Sequence, residues 1–272
     1  LYSSAASDVY KRQTQHVYNR YGKTKNKKYL NEFKEIMRHP LLKNEMRAIT
    51  FSSKRRYYDI HAVYNSCIGS EEKAFEFSKK TIQLFDTNPE KKIRSAIYYA
   101  GYINNTLLFC HDLKRYQEVE LYLNKLSEIK HLLTSKYQQV RYFEIHSNNF
   151  LHFHNSTGQF DNANKILPSI IAELPQHENK IPDRDKLLLY GNIANTLFGL
   201  EDYKKCLIWI NKARNEFPAN VRPDIDIEIS LLNILVHIEL GHLELISHLA
   251  AAHKRLLPVS YTHLTLPTNR EV

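Results

Sequence analysis

GQFDNANKILPSIIAELP at 158–175 and EDYKKCLIWINKARNEFP at 201–218 decide the fold. Each reads as a short turn, an aromatic residue (Phe160, Tyr203) and an amphipathic helix that stops at a proline (Pro175, Pro218). Two earlier segments share the pattern, GSEEKAFEFSKKTIQLF (69–85) and KRYQEVELYLNKLSEI (114–129). The residues that begin each helix face, Ala74, Val119, Ala163 and Cys206, lie 45, 44 and 43 residues apart. An aromatic stands three residues before three of these anchors (Tyr116, Phe160, Tyr203). Apolar or small residues follow at four and seven: Leu123 and Leu126, Leu167 and Ile170, Ile210 and Ala213. Those offsets share one helical face. Pro175 and Pro218 each fall twelve residues after their anchors, where proline stops a helix.

A second amphipathic helix is expected before each turn, at roughly 55–67, 93–112, 137–156 and 184–200. A weaker fifth unit follows: helix 224–240, a turn at Gly241–His242, and helix 243–256. Gly241 fills the place of Gly69 and Gly158. Residues 29–48 read as the partner helices of a truncated unit, broken at His39–Pro40. Internal repetition at a fixed period marks a repeat architecture. One hairpin cannot bury its apolar face alone, but stacked neighbours bury it as a continuous core. The expected fold is therefore all-α, a right-handed α-solenoid of four to five stacked helical hairpins with a period of about 44 residues.

The turns with glycine, an aromatic and alanine, as in GQFDNA, together with LEDYKKC and the terminal prolines, resemble the tetratricopeptide (TPR) family over most of residues 55–256. The common family repeat is about 34 residues, so the helices or linkers here are longer. The usual first-helix tryptophan is replaced by Tyr58 and Tyr190. The resemblance implies that first helices line a concave face and that the chain is a protein- or peptide-binding scaffold or adaptor, non-catalytic and without cofactor.

The ends read differently. LYSSAASDVYKRQ (1–13) and PVSYTHLTLPTNREV (258–272) resemble translated sequencing-adapter DNA and are read as non-native tails, outside any fold argument. That leaves 14–54 as a basic, helical truncated repeat and 55–257 as the repeat domain, a fragment of a longer protein. The net charge is +9, and its placement matters more than its size. Residues 14–56 carry twelve Lys and Arg against Glu32, Glu35 and Glu45, so the basicity is N-terminal. Such a stretch could contact nucleic acid or an acidic partner. Only 7 glycines occur, which leaves little room for phosphate-binding loops. The 3 cysteines, far apart and without a CxxC pair, are neither a disulfide framework nor a zinc site and fit a reducing, cytoplasmic setting. No apolar run approaches the roughly 20 residues needed to span a bilayer.

One constellation could carry function. Asn105, Asn149 and Asn192 each stand fourteen residues before an anchor, on a first helix; Asn104 and Asn148 precede two of them, and Asn233 is near the matching place in the fifth unit. An amide donates and accepts, so such a ladder suits either an extended peptide backbone or the neighbouring hairpin. His152, Asn195 and Phe198 lie along the same helices, giving a polar and aromatic ligand-binding face. His152 and His154 point about 200° apart on a helix and cannot chelate one ion. No HExxH, GxSxG, P-loop or GxGxxG is present. The alternatives to a peptide-binding scaffold are a nucleic-acid-linked or signalling regulator whose effector domain is missing, and a non-catalytic part of an enzyme.

Overall fold

The computed structural model describes residues 27–217 and 221–257. Both expected tails, the part of the basic segment before Lys27, and Pro218 lie outside the described residues. The described residues are helical, with no strand among them. They fall into two compact units, one ending at Ile145 and the other beginning at His146.

The first unit holds α1 (Lys27–Met37), α2 (Pro40–Lys43), a 3-10 turn (Glu45–Arg47), α3 (Phe51–Cys67), α4 (Glu71–Asp86), α5 (Pro89–Arg94), α6 (Ala96–Asp112) and α7 (Tyr116–Glu128). Its last residues open α8 (Lys136–Ser156), which contains the division between the units. The second unit continues with α9 (Phe160–Glu173), α10 (Asp183–Gly199), α11 (Tyr203–Glu216), α12 (Pro223–Glu239) and α13 (Leu243–Leu256).

Two boundaries differ from the sequence reading, each for a local reason. Helix α3 starts at Phe51 and not near 55, because Thr50 and Ser53 form a reciprocal capping box. The boundary drawn at 54/55 therefore falls inside a helix. The single helix expected over 93–112 is two: Pro89 sits at the start of α5, and the chain breaks at Ser95 before α6. Pro168 is accommodated inside α9 on its exposed side, and α9 ends at Glu173, just ahead of Pro175 where the sequence places the stop.

Each first helix ends in the same backbone device. Gly69, Lys114, Gly158, Glu201 and Gly241 all have positive φ. At each, the following N–H reaches back five residues: Ser70 to the Asn65 carbonyl at 2.8 Å, Arg115 to Cys110 at 2.8 Å, Gln159 to His154 at 2.8 Å, Asp202 to Leu197 at 2.9 Å, and His242 to His237 at 2.9 Å. This is the Schellman helix end, which satisfies orphan carbonyls and reverses the chain. Gly is expected at the left-handed residue; Lys114 (φ 55) and Glu201 (φ 59) hold that shape without glycine's freedom.

The four anchors, Ala74, Val119, Ala163 and Cys206, are all 0% exposed. In the first unit α4 packs against α3 and then against α6, with the Phe85 ring 5.1 Å from Phe51 and 5.3 Å from Tyr99. In the second unit α11 packs against α10 and α12, and α12 also packs directly on α10. Gly191 lies at that contact, and a β-carbon there would meet Ile225 and Ile229 at 3.6–3.7 Å, an ordinary packing distance. Gly199 admits the Phe160 ring, which lies 2.3 Å from where its β-carbon would stand.

Candidate binding surfaces on the first helices

The asparagine series divides on inspection. Asn105, in the first unit, is exposed on α6. Asn149 and Asn192, in the second, are buried. Asn192 Nδ2 donates to the Asn148 side-chain oxygen at 3.1 Å and to the Asn148 carbonyl at 3.4 Å. Asn148 in turn donates to the Asp185 carbonyl at 3.2 Å. Further along, Asn155 Nδ2 reaches the Asn192 carbonyl at 2.9 Å, and the Thr196 hydroxyl reaches Asn155 Oδ1 at 2.8 Å. These bonds stitch α8 to α10 through a buried polar ladder. The Asn192 amide thus faces a neighbouring helix, and Asn149 is equally out of solvent. The other predicted residues scatter: His152 is exposed, Asn195 is half-buried, and the Phe198 ring packs on Tyr203 at 5.5 Å.

On the first unit a different surface emerges. Tyr98, Tyr102 and Asn105 stand at offsets of four and seven, so they share one face of α6. Tyr98 is 64% exposed and Leu108, further along, 51%. Gly101, between them, faces open space. The Arg55 guanidinium from α3 lies 5.9 Å from the Tyr98 ring and 6.0 Å from the Tyr102 ring. This is a cation over two aromatic faces.

A second constellation ties the hairpins together. Tyr58 donates to Glu45 at 2.6 Å, and Lys80 reaches the same carboxylate at 2.9 Å. Tyr190 donates to Glu216 at 3.0 Å, with Lys212 3.2 Å from Glu178 and 4.7 Å from the Tyr190 ring. Tyr99 donates to Asp86 at 2.8 Å, beside Lys125 at 2.8 Å and Lys92 at 3.2 Å. The Tyr58 bond and Lys80 hold the Glu45 carboxyl below its usual range against the pull of burial. At Asp86 burial alone would raise the carboxyl, but the bonds from Lys125, Tyr99 and Lys92 outweigh it and the net shift is downward. Burial, followed by these carboxylates, pushes the tyrosine hydroxyls up. Sequence reasoning missed this motif, although its signal is there. Tyr58 and Lys80 stand eleven residues before and after Gly69; Tyr190 and Lys212 stand eleven before and after Glu201.

The cysteines are buried thiols, and burial pushes Cys110 and Cys206 up to about 12, far from a reactive thiolate. Among the described residues no group of three or more His, Cys, Asp or Glu could hold a metal, and no helix is long and apolar enough to cross a membrane. Comparison with family models, with curated proteins and with solved structures finds no match in any of the three.

Proposed function

We propose that this chain is a binding module: a TPR-like solenoid of stacked hairpins, with a period of about 44 residues, that presents the faces of its first helices to a protein or peptide partner. The observation that carries the reading is the shared helix end at Gly69, Lys114, Gly158, Glu201 and Gly241, which supports taking each hairpin as a copy of one unit. Stacked copies of one unit create an extended surface rather than an enclosed pocket. The exposed groups on α6 fit a peptide. Tyr and Arg are the residue types that anchor interfaces, and the Asn105 amide can pair with a peptide backbone. Asn149 and Asn192 hold helices together in this reading, while Asn105, His152 and Asn195 remain the ligand-facing members of the predicted set.

Peptide display on the full chain tests this, with two multiple variants as controls. One carries Tyr98→Ser and Asn105→Ala, the other His152→Ala and Asn195→Ala. Peptides enriched by the wild type and lost on one variant, with unchanged helical circular dichroism, support the reading; no enrichment, or equal enrichment by all three proteins, sinks it. A single-stranded nucleic acid is the second reading. It rests on Arg55 over Tyr98 and Tyr102, since aromatic faces beside a cation also stack bases. Binding of a fluorescent oligonucleotide that falls with salt and is lost on Arg55→Ala would favour it.

A further inference from the structure

The positions that one hairpin of the second unit uses to hold the next can be followed into the last described hairpin, α12 with α13. Each is fixed by its distance from the left-handed residue. Ten residues before it, Asn148 accepts the Asn192 amide, and Gly191 lies against Ile225 and Ile229. Three before it, Asn155 donates to the Asn192 carbonyl. Two after it, Phe160 packs on Gly199. The matching residues of the last hairpin are Leu231, Ile238 and Leu243, and they are 48%, 44% and 68% exposed. Two closed positions also open there. Leu151 and Ala194, seven residues before the left-handed residue, are buried, while Ile234 is half-buried. Leu167 and Ile210, nine after it, are buried, while Ala250 is exposed. Ile227, Leu231, Ile234 and Ile238 stand four, three and four residues apart and form one aliphatic stripe along α12. A capping repeat turns a polar face outward. This face is aliphatic, and a contiguous exposed aliphatic area marks an interaction surface.

We propose that this face of α12 and α13 is a homodimer interface, covered by the same face of a second copy of the chain packed antiparallel to it. The stripe selects a second copy because its spacing is the same in both directions. A two-fold axis sets Ile227 against the second copy's Ile238, and Leu231 against the second copy's Ile234. Charge selects the antiparallel sense. Helix α13 carries Glu244 in its first turn and Lys254 and Arg255 in its last, all exposed. Antiparallel pairing brings the acid of each copy to the two bases of the other and opposes the helix dipoles, whereas parallel pairing would stack like charges. The helices hold 17 and 14 residues, about 25 Å and 21 Å of length at 1.5 Å per residue. A two-helix face of that length is at the small end of stable interfaces, which puts dissociation in the micromolar range.

Dimerisation through α12 and α13 is independent of any ligand on α6. Sedimentation velocity of the full chain from about 1 to about 200 µM, a range that brackets micromolar dissociation, tests it. The wild type is expected to pass from one chain to two and no further, because a two-fold face closes on itself. Leu231→Ser with Ile238→Ser should weaken association at least about a hundred-fold, since each dimer loses four aliphatic side chains. Both residues are about half exposed, so the helical circular dichroism should not change. Ile208→Ser, at an exposed aliphatic of α11, is the control and should leave association as it is. Glu244→Lys, and Lys254→Glu with Arg255→Glu, should each weaken association about ten-fold. An equimolar mixture of these two variants should recover it, because each supplies the charge that the other has lost. One chain at every concentration, growth beyond two chains, or wild-type association of the double serine variant overturns the interface. A mixture of the charge variants that associates no better than its components overturns it as well.

Discussion

Asn192→Ala and Asn105→Ala remove the same chemistry from equivalent places in two hairpins, yet their consequences should differ severalfold. Asn192 is 5% exposed and donates to Asn148 Oδ1 at 3.1 Å. Its truncation deletes that bond and leaves a buried acceptor on Asn148 short of a partner. A net hydrogen bond contributes about 1 kcal/mol, and an orphaned buried polar atom costs about 1–3 kcal/mol. Together they put Asn192→Ala at roughly 2 kcal/mol of destabilisation. Asn105 is exposed and makes no side-chain bond among the described residues, so its truncation should cost less than about 0.5 kcal/mol. Urea unfolding of the full chain, followed by circular dichroism, measures both. Hydrogen exchange then locates the loss, which for Asn192→Ala should appear in α8 and α10. Adding Asn148→Ala should be less than additive, with a coupling of about 0.5–1 kcal/mol, because both residues serve one bond. Equal costs for the two single variants, or strict additivity of Asn148→Ala and Asn192→Ala, would refute the buried ladder.

Three further outcomes follow from the same contacts. Glu201→Gly should stabilise by about 0.5–1 kcal/mol, because the left-handed strain relieved exceeds glycine's entropy cost, whereas Gly158→Ala should destabilise by about 1 kcal/mol; opposite signs in thermal melts are the check. Gly199→Ala forces the Phe160 ring aside and should cost about 1–3 kcal/mol, most of it recovered when Phe160→Leu is added. The Asp86 carboxyl is held low in the folded chain, so its contribution is present at neutral pH and lost as pH falls through that depressed value. The stability gap between wild type and Asp86→Asn, read by urea titration from pH 7 to pH 3, should therefore narrow toward acid; a gap that is constant with pH rules out the ion cluster.

Much of the hairpin frame could be read from residue types alone. Helical periodicity is local, so Ala74, Val119, Ala163 and Cys206 were identifiable as buried anchors, and all four are fully buried. Glycines at 69, 158 and 241 mark their turns because glycine alone enters the left-handed region without penalty. The same argument was silent at Lys114 and Glu201, where the stacked helices impose a conformation that the residue does not favour. The start of α3 was misplaced for want of its cap, although Thr50 and Ser53 were there to read.

The site was less legible, and the reason is directional. Spacing puts Asn105, Asn149 and Asn192 at one register, but register cannot say whether a neighbouring helix covers that register. On α10 the face is closed by α8 and α12, so its amide became structural; on α6 the residue at that register stays open. Arg55 over Tyr98, and Asn192 on Asn148, join residues 43 and 44 positions apart in the chain. Their meeting depends on how one hairpin lies on the next. The sequence by itself determined where the helices run and which residues seed their core, because those follow from period and turn chemistry within some twenty residues. Only the tertiary structure decided which polar side chains are buried and which stay exposed, because burial belongs to the packing between hairpins.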